Sequence, residues 1–327
     1  MAFAFSGTST ISTEHISGDK LMTNGELAFI ALAEEKNFTK AAEKIYMSQQ
    51  GLSDHIKRLE QDYNTTLVTR KPSVELTGSG RALYNMLLEK QTMDRDIRRL
   101  ISDIDQGDEG EVRVGITSSR MRVISSDIIQ KYHEAHPNVH IRIISDITVI
   151  LMDMLEAGDL DLVIGVNPDA RRGLEIEPVF DDPLYIAVPE KIALERSGDA
   201  GKVDISVYQD VPFIRDVNLS KTSNEVDAFL IRNNIRLNAI IEINDYNEQA
   251  ALCNRLGAAM FCSKSFAFFS GGEIIRKGLR ILEVEGLDHS VSICLVTSGS
   301  RLYPKCVTDF VDTARSSLKH FFDKHIA

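Results

Sequence analysis

Between residues 37 and 70 the apolar positions of NFTKAAEKIYMSQQGLSDHIKRLEQDYNTTLVTR recur with a helical period. Leu52, Ile56, Leu59 and Tyr63 fall three or four residues apart and would line one face of a helix. Gln49, Gln50, Ser53, Asp54 and Lys57 fall on the opposite side. That outward row carries amides, a hydroxyl, a carboxylate and an amine, groups that hydrogen-bond base edges and phosphates. Ahead of it, Ala41 and Ala42 are small enough for a preceding helix to cross closely, and Ser48 suits the N-cap of the second helix. Two short helices joined this way have the layout of a helix-turn-helix, whose second helix enters the DNA major groove. An ordinary helical hairpin with a solvated face shares that layout, so the residues that follow matter. From Leu67 to Thr77 the chain reads LVTRKPSVELT, a short hairpin with Arg70 and Lys71 near its tip. A basic hairpin beside a recognition helix is a wing that rests on phosphates.

Beyond the wing, Leu83, Met86, Met93, Ile97, Leu100 and Ile104 keep helical spacing over about 24 residues, interrupted only by Lys90. The other faces carry Glu89, Asp94, Arg95, Asp96, Arg98 and Arg99, so the apolar seam is expected to pair with a second copy in a coiled-coil-like contact. Around residues 106–110 the pattern changes to alternating strands and helices. Strands are expected at 112–116, 141–144, 160–165, 184–188, 212–214, 239–243, 257–262, 279–283 and 291–296. Helices are expected at 125–133 and 149–157, with a long terminal helix over 305–322. This alternation predicts an α/β fold with a parallel sheet covered on both faces and ligands at the carboxyl ends of its strands.

The chain has 327 residues, enough for two or three domains, and 43% of them are hydrophobic. It has no run of about 18 apolar residues, so no membrane span is expected. The first twenty residues lack the basic start and apolar core of a signal peptide. Residues 1–21 are rich in Ser, Thr and Gly, show no period and are read as a disordered extension. Four scattered cysteines suggest reduced thiols in a cytoplasmic protein. The net charge of −11 weighs against a nucleic-acid partner, yet residues 21–82 hold eight Lys/Arg and eight Asp/Glu. From residue 108 onward there are 24 Lys/Arg and 33 Asp/Glu, so the acidity lies mostly outside the proposed DNA module. With a neutral module, DNA binding should need a dimer or more, so that phosphate contacts add up.

The chain resembles the LysR-type transcriptional regulators. The carrying residues are Phe38 to Ile45 (FTKAAEKI), Ser48-Gln49, Leu52-Ser53, Ile56 to Glu60 (IKRLE), Leu67, Arg70 and Leu76 to Gly80 (LTGSG). Weaker agreement comes from Gly110 to Gly115, His136 to Val139, Gly158 to Leu162 and Arg255 to Gly257. The resemblance runs from Met22 to about Leu318. It implies a winged helix-turn-helix (22–80), a dimerising linker helix (81–108) and a two-lobed effector domain like a periplasmic binding protein (109–327). The first lobe would take about 109–188 and 286–327, and the second about 189–285. The resemblance further implies a homodimer or homotetramer on double-stranded promoter DNA, with binding or bending modulated by a small polar or anionic effector between the lobes. DNA contacts would fall to Thr39, Ser48, Gln49, Gln50, Ser53, Asp54, Lys57, Arg58, Arg70 and Lys71. Effector contacts would fall to Thr117, Ser118, Ser119, Thr148, Phe213, Arg215 and Asn244. Asp146 and Asp216 stand at the same strand ends, and Arg120 and Arg215 would favour an anion. Where family members usually have Pro then Ala or Pro after the Ser-Gln pair, this chain has Gln50 and Gly51. It also has Asp54 where a basic residue is usual, which points to a different operator.

No catalytic signature is present: no Gly-x-Ser-x-Gly, His-Glu-x-x-His, Walker A or Gly-x-Gly-x-x-Gly. No enzyme activity, cofactor or metal is therefore expected. His133, His136 and His140 are spaced like metal ligands, but Pro137 interrupts them. Cys253 and Cys262 lie in apolar runs, where cysteine is usually a small buried residue. One alternative from another class stays open: a small-molecule-binding α/β protein in which the N-terminal helices serve only oligomerisation. The polar row on the second helix, together with the wing, discriminates between the two.

Overall fold

A computed structural model describes residues 22–70, 73–106, 110–216, 220–243, 245–269, 278–287 and 290–325. The expected extension at 1–21 lies outside the described residues, as do Lys71 and Asn244. The chain divides into two compact units, one up to Asp94 and one from Arg95.

In the first unit, helix α1 (Asn24–Glu35) opens with a capping box. The Thr23 hydroxyl accepts from the Glu26 amide, and the Glu26 carboxylate accepts from the Thr23 amide. Helix α2 (Phe38–Lys44) is capped by Asn37, whose side chain accepts from the amides of Thr39 and Lys40. Helix α3 (Gln49–Asp62) is capped by Ser48, whose Oγ accepts from the Gly51 amide at 3.0 Å. Phe29, Leu32, Ala41, Ala42, Leu52, Ile56 and Leu59 are buried in one core. Tyr63 does not belong to it: the helix ends at Asp62, so Tyr63 caps α3, leaves the apolar period and is 52% exposed. Strands β1 (Val68–Thr69) and β2 (Glu75–Leu76) pair antiparallel as the wing.

Helix α4 (Gly78–Gln106) runs for 29 residues, about 43 Å at roughly 1.5 Å per residue. Leu87 is buried and Leu83 and Tyr84 pack against the core of the first unit, whereas Met86, Met93, Ile97 and Ile101 are exposed at helical spacing. The side chain of Ile104 lies outside the described residues. Lys90, the polar break in the seam, has a local explanation: its Nζ lies 2.8 Å from the Glu26 carboxylate and joins α4 to the start of α1.

The second unit is built on an eight-stranded mixed sheet. Strand β3 (Gly110–Thr117) pairs parallel with β4 (Val139–Asp146) and with β5 (Leu162–Val166). Helices α5 (Ser118–Ala135) and α6 (Thr148–Glu156) follow β3 and β4. The sheet departs from the expected all-parallel arrangement in its long strand β6 (Leu174–Pro189) and the strands around it. Residues 174–183 of β6 pair antiparallel with β12 (Ser290–Ser298), which also pairs antiparallel with β5. Residues 184–189 pair antiparallel with β10 (Met260–Ser263) and β11 (Leu279–Val284). Only the last third of β6 was expected as a strand. Its first part, LEIEPVFDDP, alternates acidic and apolar residues and carries Pro178, which the sheet accommodates at a β-bulge opposite Ile293 and Cys294.

Beyond β6 come α7 (Glu190–Ser197), the short β7 (Lys202–Val203), β8 (Pro212–Arg215), α8 (Lys221–Arg232), β9 (Asn238–Glu242), α9 (Tyr246–Leu256) and α10 (Lys264–Phe269). Strands β8 and β9 form a separate parallel pair. The terminal helix α11 (Lys305–His325) returns to pack Val307, Phe310 and Leu318 into the same core as Val112, Val114 and Ile128.

Candidate DNA-binding surface and effector cleft

The apolar side of α3 fixes which residues face outward. With Leu52, Ile56 and Leu59 buried, Gln49, Gln50, Asp54, Lys57 and Arg58 are exposed and Ser53 is half-buried. Thr39 and Ser48 are exposed beside them, and the Thr39 hydroxyl lies 3.5 Å from Gln49 Oε1. Two contacts hold the wing against the helices. Glu60 Oε1 accepts from the amides of Leu67 at 2.9 Å and Val68 at 3.3 Å, tying the end of α3 to β1. The Arg70 guanidinium sits 5.2 Å from the centroid of the Phe38 ring, at the start of α2. At the base of the wing, the Thr77 hydroxyl donates to Thr66 O at 2.7 Å and accepts from the Gly80 amide at 3.0 Å. Arg70 therefore lies on the α2 side of the module, while Lys71 is outside the described residues. The positioning roles of Phe38 and Glu60 were not foreseen, because neither a ring under a cation nor a carboxylate under two amides shows in a helical period.

In the second unit, a cleft of about 270 Å³ opens where β3, β4 and β8 end. Thr117, Ser118, Ser119 and Thr148, expected there, all line it. So do Asp146 and Asp216, together with Ser145, Ile147, Val166, Ser220, Lys221, Thr222 and Tyr246. The Thr148 hydroxyl is already engaged, donating to Val166 O at 3.0 Å and accepting from its amide at 3.1 Å. Thr117 Oγ1, by contrast, is buried without a hydrogen-bond partner. Burial pushes the Tyr246 phenol well above its usual range.

Phe213 is placed differently from expectation. It is 0% exposed, packs at a tilt on Phe261 with centroids 5.8 Å apart and does not line the cleft, because as a mid-strand apolar residue its best site is the core. Arg215 also misses the main cleft: it lines a small adjoining pocket and is paired with Asp227. Arg120 is buried 3.0 Å from Asp182, whose carboxylate also accepts from the amide and hydroxyl of Ser265. Each arginine that suggested an anionic effector thus has its own carboxylate. Asn244 is outside the described residues. Ser220 caps α8 and Asp245 caps α9, so the cap residues that open SKTSN and DYNEQ were an available signal for the lobe that the expected list underused.

Elsewhere, no group of three or more potential metal ligands occurs among the described residues. His136 stacks on Tyr132 at 4.5 Å, and His133 and His140 are exposed. Burial pushes the Cys253 thiol up to about 12 and raises Cys262 further, so neither offers a thiolate near neutral pH. No described helix is long and apolar enough to cross a membrane.

Comparison with known proteins matches residues 27–81 to the bacterial regulatory helix-turn-helix protein, lysR family, and residues 105–319 to the LysR substrate binding domain. The chain belongs to the LysR family of transcriptional regulators. Among similar proteins, a probable RuBisCO transcriptional regulator of Trieres chinensis is 24% identical over 283 residues, covering 84% of this chain and 89% of that protein. The HTH-type transcriptional regulator CysL of Bacillus subtilis (strain 168) is 28% identical over 239 residues, covering 71% and 77%. Full-length CbnR complexed with its target DNA shares the fold with a TM-score of 0.56 at 18% identity, over 90% of this chain and 98% of that one. Full-length BenM does so at 0.55 and 18%, over 92% and 95%. This LysR-type regulator is a DNA-binding transcription factor with an effector-binding domain. The alternative, in which the N-terminal helices only oligomerise, is set aside by the match over residues 27–81.

Proposed function

We propose that this regulator reads promoter DNA with α3 in the major groove and the wing on the phosphates, and that a small polar or anionic metabolite in the cleft changes that binding or the bend of the DNA. The observation that carries the first part is the row Gln49, Gln50, Ser53, Asp54 and Lys57, turned outward by the burial of Leu52, Ile56 and Leu59 beside a wing braced on Phe38 and Glu60. Gln49 and Gln50 would read base edges, Lys57, Arg58, Arg70 and Lys71 would neutralise phosphates, and Thr39, Ser48 and Ser53 would donate from hydroxyls. Asp54 accepts hydrogen bonds only, which fits a cytosine amine.

The working form is a homodimer or homotetramer paired through Met86, Met93, Ile97 and Ile101 of α4, since these apolar side chains lie exposed on one stripe of a charged helix. We assign the DNA-binding domain to residues 22–80, the linker to 81–108 and the effector domain to 109–327. The protein acts in the cytoplasm and catalyses no reaction. The test is operator binding by Gln49→Ala and Arg70→Ala variants. Both should lose DNA affinity while keeping oligomeric state and effector response, and unchanged operator affinity would remove the assignment.

A further inference from the structure

The charged groups of the cleft are not those of a simple anion site. Arg120 is buried 3.0 Å from Asp182 and does not line the cleft, and Arg215 is paired with Asp227. Lys221 lines the cleft, but its Nζ is held 2.7 Å from both carboxylate oxygens of Asp169. The other charged lining groups are carboxylates, Asp146 at the end of β4 and Asp216 just past the end of β8. Asp146 accepts from the Ile147 amide and Asp216 from the Ser220 hydroxyl, which orients both in place.

The start of α5 offers the opposite preference. Its N-cap, Thr117, makes no side-chain cap bond, and the first-turn amides of an α-helix have no partner within the helix and favour an anion. Thr117 itself is 4% exposed, lines the cleft and holds a buried hydroxyl with no partner. A buried hydroxyl normally finds a partner, and this one stands at a helix N-terminus, which favours negative charge.

We propose that the cleft takes a zwitterion of the α-amino acid class, with its carboxylate at Thr117, Ser118 and Ser119 and its ammonium toward Asp146 and Asp216. The assignment rests on the cleft being the effector site.

The test uses the purified full-length protein, with differential scanning fluorimetry followed by titration calorimetry on three probe sets. These are the proteinogenic L-amino acids, the primary amines lacking their carboxylate, and the 2-hydroxy acids lacking their ammonium. At least one amino acid should raise the melting temperature, and its amine and hydroxy acid should bind roughly tenfold or more weaker. Asp216→Asn, Asp146→Asn and Thr117→Val should each weaken it similarly without lowering the melting temperature of the free protein. A hydroxy acid or amine that binds as tightly as the amino acid, with the same sensitivity to these substitutions, overturns the zwitterion and leaves the effector site standing. Amino-acid binding indifferent to all three substitutions places the ligand elsewhere and overturns the proposal. Absence of binding by all three sets to a folded protein that binds DNA overturns the zwitterion and leaves the effector site to a metabolite of another class.

Discussion

Gly80 should tolerate no side chain. A Cβ built on it falls 2.1 Å from the carbonyl oxygen of Leu67 and 3.0 Å from its carbonyl carbon. That oxygen already accepts from the Thr77 amide at 3.0 Å, and Leu67 is a buried core residue whose own amide is held by Glu60. The clash is with backbone, so no rotamer change relieves it; either the first turn of α4 or the root of the wing must move by about an ångström. Overpacking of this kind costs roughly 1–3 kcal/mol, here at the upper end. The better helix propensity of alanine returns about 1 kcal/mol. The expected net loss for Gly80→Ala is therefore about 2 kcal/mol, which for a unit of this size lowers its melting temperature by roughly 8–16 °C. Calorimetry should show the loss in the transition of the N-terminal unit, with that of the effector unit unmoved. Operator affinity should fall with it, because β1 carries the wing. A variant melting within a degree of the parent and binding DNA normally would refute the close approach of Gly80 to Leu67.

Three further outcomes follow from individual contacts. Arg301 makes a bidentate pair with Asp96 at 2.6 and 2.7 Å and also donates to Leu160 O. Arg301→Ala leaves Asp96 buried without this partner and should cost about 3–5 kcal/mol in urea unfolding of the effector unit; a loss under about 1 kcal/mol would contradict the pairing. Arg70→Ala should weaken DNA binding evenly across sequences and reduce the salt slope by about 1, whereas Gln49→Ala should cost about 1–3 kcal/mol at one base position. Equal effects of the two on sequence preference would argue against this division of roles. Burial pushes the Glu26 carboxyl up, but hydrogen bonds from Lys90 and Thr23 outweigh it and hold the group below its ordinary 4.5. Its stabilisation is therefore present above pH 4.5 and lost as the pH falls through the lower folded value. Glu26→Gln should flatten the acid limb of the thermal stability curve, and an unchanged limb would show that the pair does not set it.

The DNA module was legible because α3 is strongly amphipathic and its N-cap, Ser48, is a residue whose side chain starts a helix in a defined way. The strands of the effector unit were legible as elements but not in direction, since a short apolar run reports burial and not orientation. The first part of β6 hid behind its glutamates, aspartates and Pro178, which an alternating half-exposed strand tolerates. The hydroxyls at the start of α5 reached the cleft as expected because a parallel strand delivers the residues that follow it to its carboxyl end. The arginines misled for a different reason. Their partners, Asp182 and Asp227, lie on other elements, and nothing in the local sequence shows that a charge is already neutralised. Phe213 followed the same logic in apolar form: the resemblance implied a ligand contact, while burial against Phe261 claimed it for the core.

The most direct test of DNA recognition by α3 and the wing is fluorescence anisotropy of the purified protein on the DNA upstream of its own gene, with competitor DNA and a salt series. Binding should survive competitor, weaken steeply as salt rises and fall sharply for Gln49→Ala and Arg70→Ala. A folded oligomer that binds no tighter there than to random DNA, with and without the amino acid, amine and acid probes, would contradict it.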